Sequence, residues 1–134
     1  MIKGEFQIKV KATGKYLHAN DGGDKLVSTR YQPDDNFTIF IFEHQPDGSY
    51  RIRVKADNAY LHEDGMGDKL ISTRYQETDD YTHFFMEPQD DDSYRIQVKA
   101  SGRYWHLDGL GDQLLSTRAQ ETDDYTRFYL EFFE

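Results

Sequence analysis

The stretch KYLHANDGGDKLVSTR, residues 15–30, returns as AYLHEDGMGDKLISTR at 59–74 and as RYWHLDGLGDQLLSTR at 103–118, each time 44 positions further on. Carried outward, the same register lays 6–43 over 50–87 and 94–131 without a gap, and the second and third copies agree at 25 of these 38 positions. Ile8/Ile52/Ile96, Tyr16/Tyr60/Tyr104, His18/His62/His106, Asp24/Asp68/Asp112 and Phe40/Phe84/Phe128 are the same in all three. A piece of this size buries too little apolar surface to hold a core alone. The copies are therefore expected to build one domain over 1–134 from units 6–49, 50–93 and 94–134. HQPDGS (44–49) and PQDDDS (88–93) read as the polar turns that join them.

Within a copy the hydrophobic period is two. QIKVKA (7–12), RIRVKA (51–56) and IQVKA (96–100) alternate apolar with charged or polar residues, the mark of a strand with one buried face. ATGK, ADNA and ASGR carry turn chemistry, and the aromatic-rich KYLH, AYLH and RYWH read as second strands. After a Gly- and Asp-rich loop come third strands, LVSTR, LISTR and LLSTR, then fourth strands, FTIFIFE, YTHFFME and YTRFYLE. Breakers recur too often for a long helix. Twelve short strands in three equal groups suit a closed barrel capped by three hairpins, since three blades fall below the usual propeller number. The expected fold is an all-β β-trefoil, with Ile8, Val10, Leu17, Phe40 and their equivalents in the core.

Charge and composition narrow the partners. The 134 residues include 16 Lys or Arg and 25 Asp or Glu, a formal charge of −9, which repels nucleic acid and anionic membranes. There is no Cys, so disulfides, thiolate metal sites and a cysteine nucleophile are excluded together. MIKGEFQIKV contains no long apolar run, and neither a signal peptide nor a membrane span is expected; the chain then stays in the cytoplasm or leaves without a leader. A monomer or homodimer is expected, with Tyr31, Tyr75, Phe132 and Phe133 as aromatic groups available to a dimer seam and core or strand closure the favoured place of the last two.

The recurring polar residues fall at strand ends and in loops, all of which a cap hairpin brings to one side. They are His18, Gly23, Asp24, Arg30 and Asp35 in the first copy, His62, Gly67, Asp68, Arg74 and Asp79 in the second, and His106, Gly111, Asp112, Arg118 and Asp123 in the third. Carboxylates accept from paired hydroxyls while imidazole or guanidinium donates, which is the chemistry of a shallow saccharide pocket. A structural reading stands beside it: Arg30 with Asp35 forms a loop salt bridge, the glycines adopt positive φ, and Tyr16, Tyr60, Tyr104 and Trp105 pack the barrel. No cofactor and no metal site is expected, because the acidic loops lack the alternation of an EF-hand and the five His lack ligand spacing. Three matching sites also argue against an enzyme, which concentrates unlike acid, base and nucleophile groups in one cleft.

The Tyr16-Leu17-His18, Tyr60-Leu61-His62 and Tyr104-Trp105-His106 segments, each leading into a Gly turn (Gly22-Gly23, Gly67, Gly111), resemble the repeats of the mytilectin group of trefoil lectins, and more distantly those of hisactophilin and fascin. The resemblance spans the whole chain and implies multivalent binding of glycans or glycoconjugates, of galactose or N-acetylgalactosamine type, with agglutination as a consequence. The mytilectin repeat has Pro after its His and a His-x-Asp-x-His run beyond the third strand. Here Ala19, Glu63 and Leu107 hold the first place and Thr29-Arg30-Tyr31-Gln32-Pro33 the second, so contacts from that loop must use other residues. The competing readings are a protein-binding trefoil, actin-associated or protease-inhibiting, and a symmetric scaffold without a ligand.

Overall fold

A computed structural model describes residues 2–20, 26–30, 35–64, 70–74, 79–107, 114–119 and 123–132, with positions 30 and 74 described by backbone alone. The twelve strands fall where the period-two segments lie. They are β1 (Gly4–Val10), β2 (Tyr16–Ala19), β3 (Val27–Arg30), β4 (Phe40–His44), β5 (Tyr50–Val54), β6 (Tyr60–Glu63), β7 (Ile71–Arg74), β8 (Phe84–Pro88), β9 (Tyr94–Val98), β10 (Tyr104–Leu107), β11 (Leu115–Arg118) and β12 (Phe128–Phe132). Single 3-10 turns at Asn36–Thr38, Asp80–Thr82 and Asp124–Thr126 precede β4, β8 and β12.

Antiparallel pairing runs β1–β4–β5–β8–β9–β12 and back to β1, closing a six-stranded barrel. Closure removes the sheet edges that six open strands would expose. The remaining strands form hairpins β2–β3, β6–β7 and β10–β11, each joined to its barrel strand through one pair, Lys9↔Tyr16, Arg53↔Tyr60 or Gln97↔Tyr104. This is the expected β-trefoil.

The core follows the alternation. Ile8, Ile52, Ile96, Val10, Val54, Val98, Phe40, Phe84 and Phe128 are fully buried, as are Leu17, Leu61 and Trp105 at one equivalent place. Burial of each such side chain contributes about 1.5–3 kcal/mol. The Trp105 indole meets Phe84 edge-on at 5.2 Å and Phe128 at 5.8 Å, so it is packing and not a sugar platform. The first turn of every copy needs a left-handed residue, supplied by Gly14 (φ 74), Asn58 (φ 64) and Gly102 (φ 74). These are residue types that tolerate that conformation.

One packing expectation changes. Tyr16, Tyr60 and Tyr104 are half-buried on the outside of the barrel, where their hydroxyls donate to Glu131 (2.6 Å), Glu43 (2.8 Å) and Glu87 (2.9 Å) of a neighbouring copy's barrel strand. A guanidinium lies over two of these rings, Arg51 over Tyr60 at 3.7 Å and Arg95 over Tyr104 at 3.8 Å. Their role is to join copies.

Candidate functional site

Each 3-10 turn begins with an aspartate from the predicted set. One carboxylate oxygen of Asp35 accepts from Phe37 N–H at 3.1 Å, Asp79 does the same for Tyr81 at 3.1 Å, and Asp123 for Tyr125 at 3.0 Å. Behind the turn the buried Thr38, Thr82 and Thr126 hydroxyls donate to the carbonyls of the same aspartates at 2.6, 2.7 and 2.6 Å. An aspartate favours this place because its side chain replaces the missing backbone acceptor. The consequence is a carboxylate held by its own backbone, with half its surface still open: the side chains of Asp35 and Asp79 are each 51 % exposed.

The cap hairpins deliver the histidines to these carboxylates. His18 Nε2 stands 3.7 Å from Asp35 Oδ2, and His62 Nε2 stands 3.9 Å from Asp79 Oδ1. Each ring leans against the aromatic residue two places beyond the aspartate: His18 on Phe37 (6.0 Å, 42°), His62 on Tyr81 (5.9 Å, 40°) and His106 on Tyr125 (6.1 Å, 40°). The imidazoles are more enclosed than a residue presented freely to a ligand, His18 being 8 % and His62 9 % exposed. His106 is half-buried.

A third polar residue completes the site. His18 Nδ1 faces Asn20 Oδ1 at 3.3 Å, and that oxygen accepts from the Ser28 hydroxyl at 3.0 Å. In the second copy Asp64 replaces Asn20: its Oδ1 is 3.6 Å from His62 Nδ1 and accepts from Ser72 at 2.8 Å. In the third, the Ser116 hydroxyl reaches the carbonyl of His106 at 3.3 Å, and Arg118 Nη1 lies 3.3 Å from Ser116 Oγ, which puts this predicted guanidinium on the same hairpin face as His106.

The predicted set thus divides. His18 with Asp35 and His62 with Asp79 are brought together, and His106, Arg118 and Asp123 occupy the equivalent frame. Gly23, Asp24, Gly67, Asp68, Gly111 and Asp112 lie outside the described residues, as do the side chains of Arg30 and Arg74. Sequence reasoning missed Phe37, Tyr81 and Tyr125, and also Asn20 and Asp64. The available signal was an aromatic residue followed by Thr two and three places after the recurring aspartate in every copy. Among the described residues no group of three or more His, Asp or Glu is disposed to hold a metal ion.

The fold and these three cap-side frames define a threefold β-trefoil with its polar recurrence at the hairpin end. The chain belongs to the ricin-type β-trefoil lectin domain-like family, whose model matches residues 33–120. Among solved structures it is similar to the designed threefold-symmetric protein ThreeFoil, with 12 % identity, a TM-score of 0.88, and coverage of 97 % of this chain and 99 % of that one. It is similar also to SeviL bound to asialo-GM1 saccharide (21 % identity, TM-score 0.77, 98 % of each chain). A third is the ricin B-like lectin of Macrolepiota procera in complex with lactose (9 % identity, TM-score 0.83, 98 % of this chain and 99 % of that one). At these identities the likeness is one of fold. No curated protein matches the chain in sequence.

Proposed function

We propose that this protein binds glycans through three sites at the hairpin end of the barrel, each built on a histidine, the aspartate that opens a 3-10 turn and the aromatic ring that follows it. The observation that carries the reading is the recurrence of the His–aromatic contact at 6.0, 5.9 and 6.1 Å over three capped carboxylates. Packing requires neither a half-exposed carboxylate beside an imidazole nor its repetition at one end of the molecule. The carboxylate accepts from a sugar hydroxyl in a charge-assisted hydrogen bond, the imidazole edge pairs with a second hydroxyl, and the half-buried ring offers carbon surface to the C–H side of the pyranose. The family and the saccharides in the SeviL and Macrolepiota procera complexes support carbohydrate as the ligand class. A galactose or N-acetylgalactosamine preference follows from the resemblance in the repeats.

Three weak sites facing one way gain avidity on a surface of clustered glycans, by engaging together. The role is binding, without a catalytic step. A glycan array followed by calorimetry tests it: saccharide binding that disappears when Asp35, Asp79 and Asp123 are changed together to Asn is the expected result, and silence toward every saccharide at millimolar concentration refutes the assignment.

A further inference from the structure

The barrel has a second end, opposite the hairpins, where β1 begins at Gly4 and β12 finishes at Phe132. Three equivalent positions, 44 residues apart, stand there: Phe6, Tyr50 and Tyr94. Phe6 packs edge-on against Phe42 at 5.6 Å and Phe132 at 5.5 Å. Tyr50 is only 6 % exposed, and its hydroxyl accepts from the backbone N–H of Ile2 at 2.8 Å, so the chain itself lays an aliphatic residue and a peptide group against that ring. Tyr94 has no such cover. It is half-buried, its hydroxyl has no hydrogen bond among the described residues, and beside it opens a hollow of about 420 Å³ walled by Ile2, Phe6, Pro88 and Leu130. Two polar neighbours on this hollow use their donors within their own turn, Gln89 on the Glu87 carbonyl at 3.0 Å and Ser93 on Asp91 at 2.6 Å.

We propose that this hollow is a peptide-binding site, which takes a branched aliphatic residue of an extended chain and pairs its peptide group with the Tyr94 hydroxyl, as Ile2 does with Tyr50. The volume lies within the range of about 300–1,000 Å³ common to small-ligand pockets. A phenol hydroxyl both accepts and donates, and a peptide unit supplies both an N–H and a carbonyl. The apolar walls suit an aliphatic side chain, whereas a saccharide would bring hydroxyls to a surface with few groups left to pair with them. The site is independent of the glycan reading, whose residues stand at the hairpin end.

The test is a nuclear magnetic resonance titration of the full chain that follows the Tyr94 ring and the Leu130 methyl groups, with the His18 and His62 rings as reporters of the other end. The probes are two uncharged compounds, N-acetyl-isoleucine methylamide and N-acetyl-glycine methylamide. The isoleucine compound is expected to move Tyr94 and Leu130 at a concentration at least roughly tenfold lower than the glycine compound, the worth of one buried aliphatic side chain, and to leave both histidines still. Tyr94→Phe keeps the ring and matches Phe6 of the first copy, so the fold is retained; it should weaken binding about fivefold, the worth of one hydrogen bond. Equal response to the two probes, unchanged affinity in Tyr94→Phe, or still signals at tens of millimolar would each overturn the site and leave the glycan reading untouched.

Discussion

Glu63 is the residue at which the threefold pattern breaks most sharply. It follows His62 on β6, is fully buried, and takes the place held by Ala19 and Leu107 in the other copies. Its Oε2 accepts from the Thr117 hydroxyl at 2.5 Å and lies 3.7 Å from Arg103 Nε, while Oε1 has no hydrogen bond. Arg103 in turn donates to Thr117 Oγ1 at 2.9 Å and to its carbonyl at 2.6 Å, so one charged network ties the second hairpin to the third. A buried ion pair is costly to form and costlier to break by halves. Arg103→Met strands the fully buried Glu63 carboxylate and should therefore destabilise the protein by about 2–4 kcal/mol, whereas Glu63→Leu leaves a guanidinium that water still reaches and should cost less, both read from urea denaturation midpoints. A larger loss for Glu63→Leu than for Arg103→Met would contradict this account.

At the scale of the element, the 3-10 turns carry structure and site in one side chain. Asp79 caps its turn and meets His62 through the same oxygen, Oδ1, so its two duties are separated only by removing the charge while keeping the acceptor. Asp79→Ala loses the cap and should cost about 1 kcal/mol of stability. Asp79→Asn keeps an acceptor for Tyr81 N–H and should leave the thermal midpoint nearly unchanged while weakening saccharide binding at that site. Equal melting losses for the two variants would place the value of the side chain in its charge and not in the cap. In the candidate frames the recurring His columns and Asp35, Asp79 and Asp123 were legible at this scale. Phe37, Tyr81 and Tyr125 were not, because an aromatic residue leading into a barrel strand reads as core until the hairpin that lies over it is in place.

For the whole molecule, the copies are joined by hydrogen bonds and ion pairs that respond to pH at opposite ends of the scale. Lys11 pairs with Asp91 at 2.5 Å and Lys99 with Asp47 at 2.6 Å, each lysine reaching a turn between other copies. The third gap holds the chain ends, and there Lys55 takes Glu5 at 2.9 Å. Hydrogen bonds from Lys99 and Ser49 hold the Asp47 carboxyl well below the usual carboxylate range, and Lys11 and Ser93 do the same for Asp91. A lowered folded value means stability that is complete above the unfolded carboxylate value, about 4, and lost as pH falls below it. The melting temperature should drop on acidification below that point, and less so in a Lys11→Met, Lys99→Met double variant, whose aspartates keep only their serine hydrogen bonds.

The tyrosine joints act at the other end. The hydrogen bond to Glu131, with burial, pushes the Tyr16 hydroxyl up to about 12, and burial followed by Glu43 or Glu87 raises Tyr60 and Tyr104. The Tyr16 contribution is complete below the ordinary value of 10.0 and disappears as pH rises through about 12, and those of Tyr60 and Tyr104 are lost in the same direction. Tyr16→Phe should lower stability at neutral pH and flatten the alkaline arm of the stability profile. An alkaline arm of unaltered steepness in thermal melts of this variant would show that the joint does not contribute.

The strands, their inward residues and the closed threefold barrel could be read from the chain alone, because alternation and turn chemistry are local and the 44-residue repeat writes them three times. The enclosure of the histidines, the aromatic ring under each, the charged bridge at Glu63 and the outward tyrosine joints were decided only in the tertiary structure. Each depends on which side chains from distant copies come within a few ångströms when the barrel closes, and that distance has no counterpart in a period.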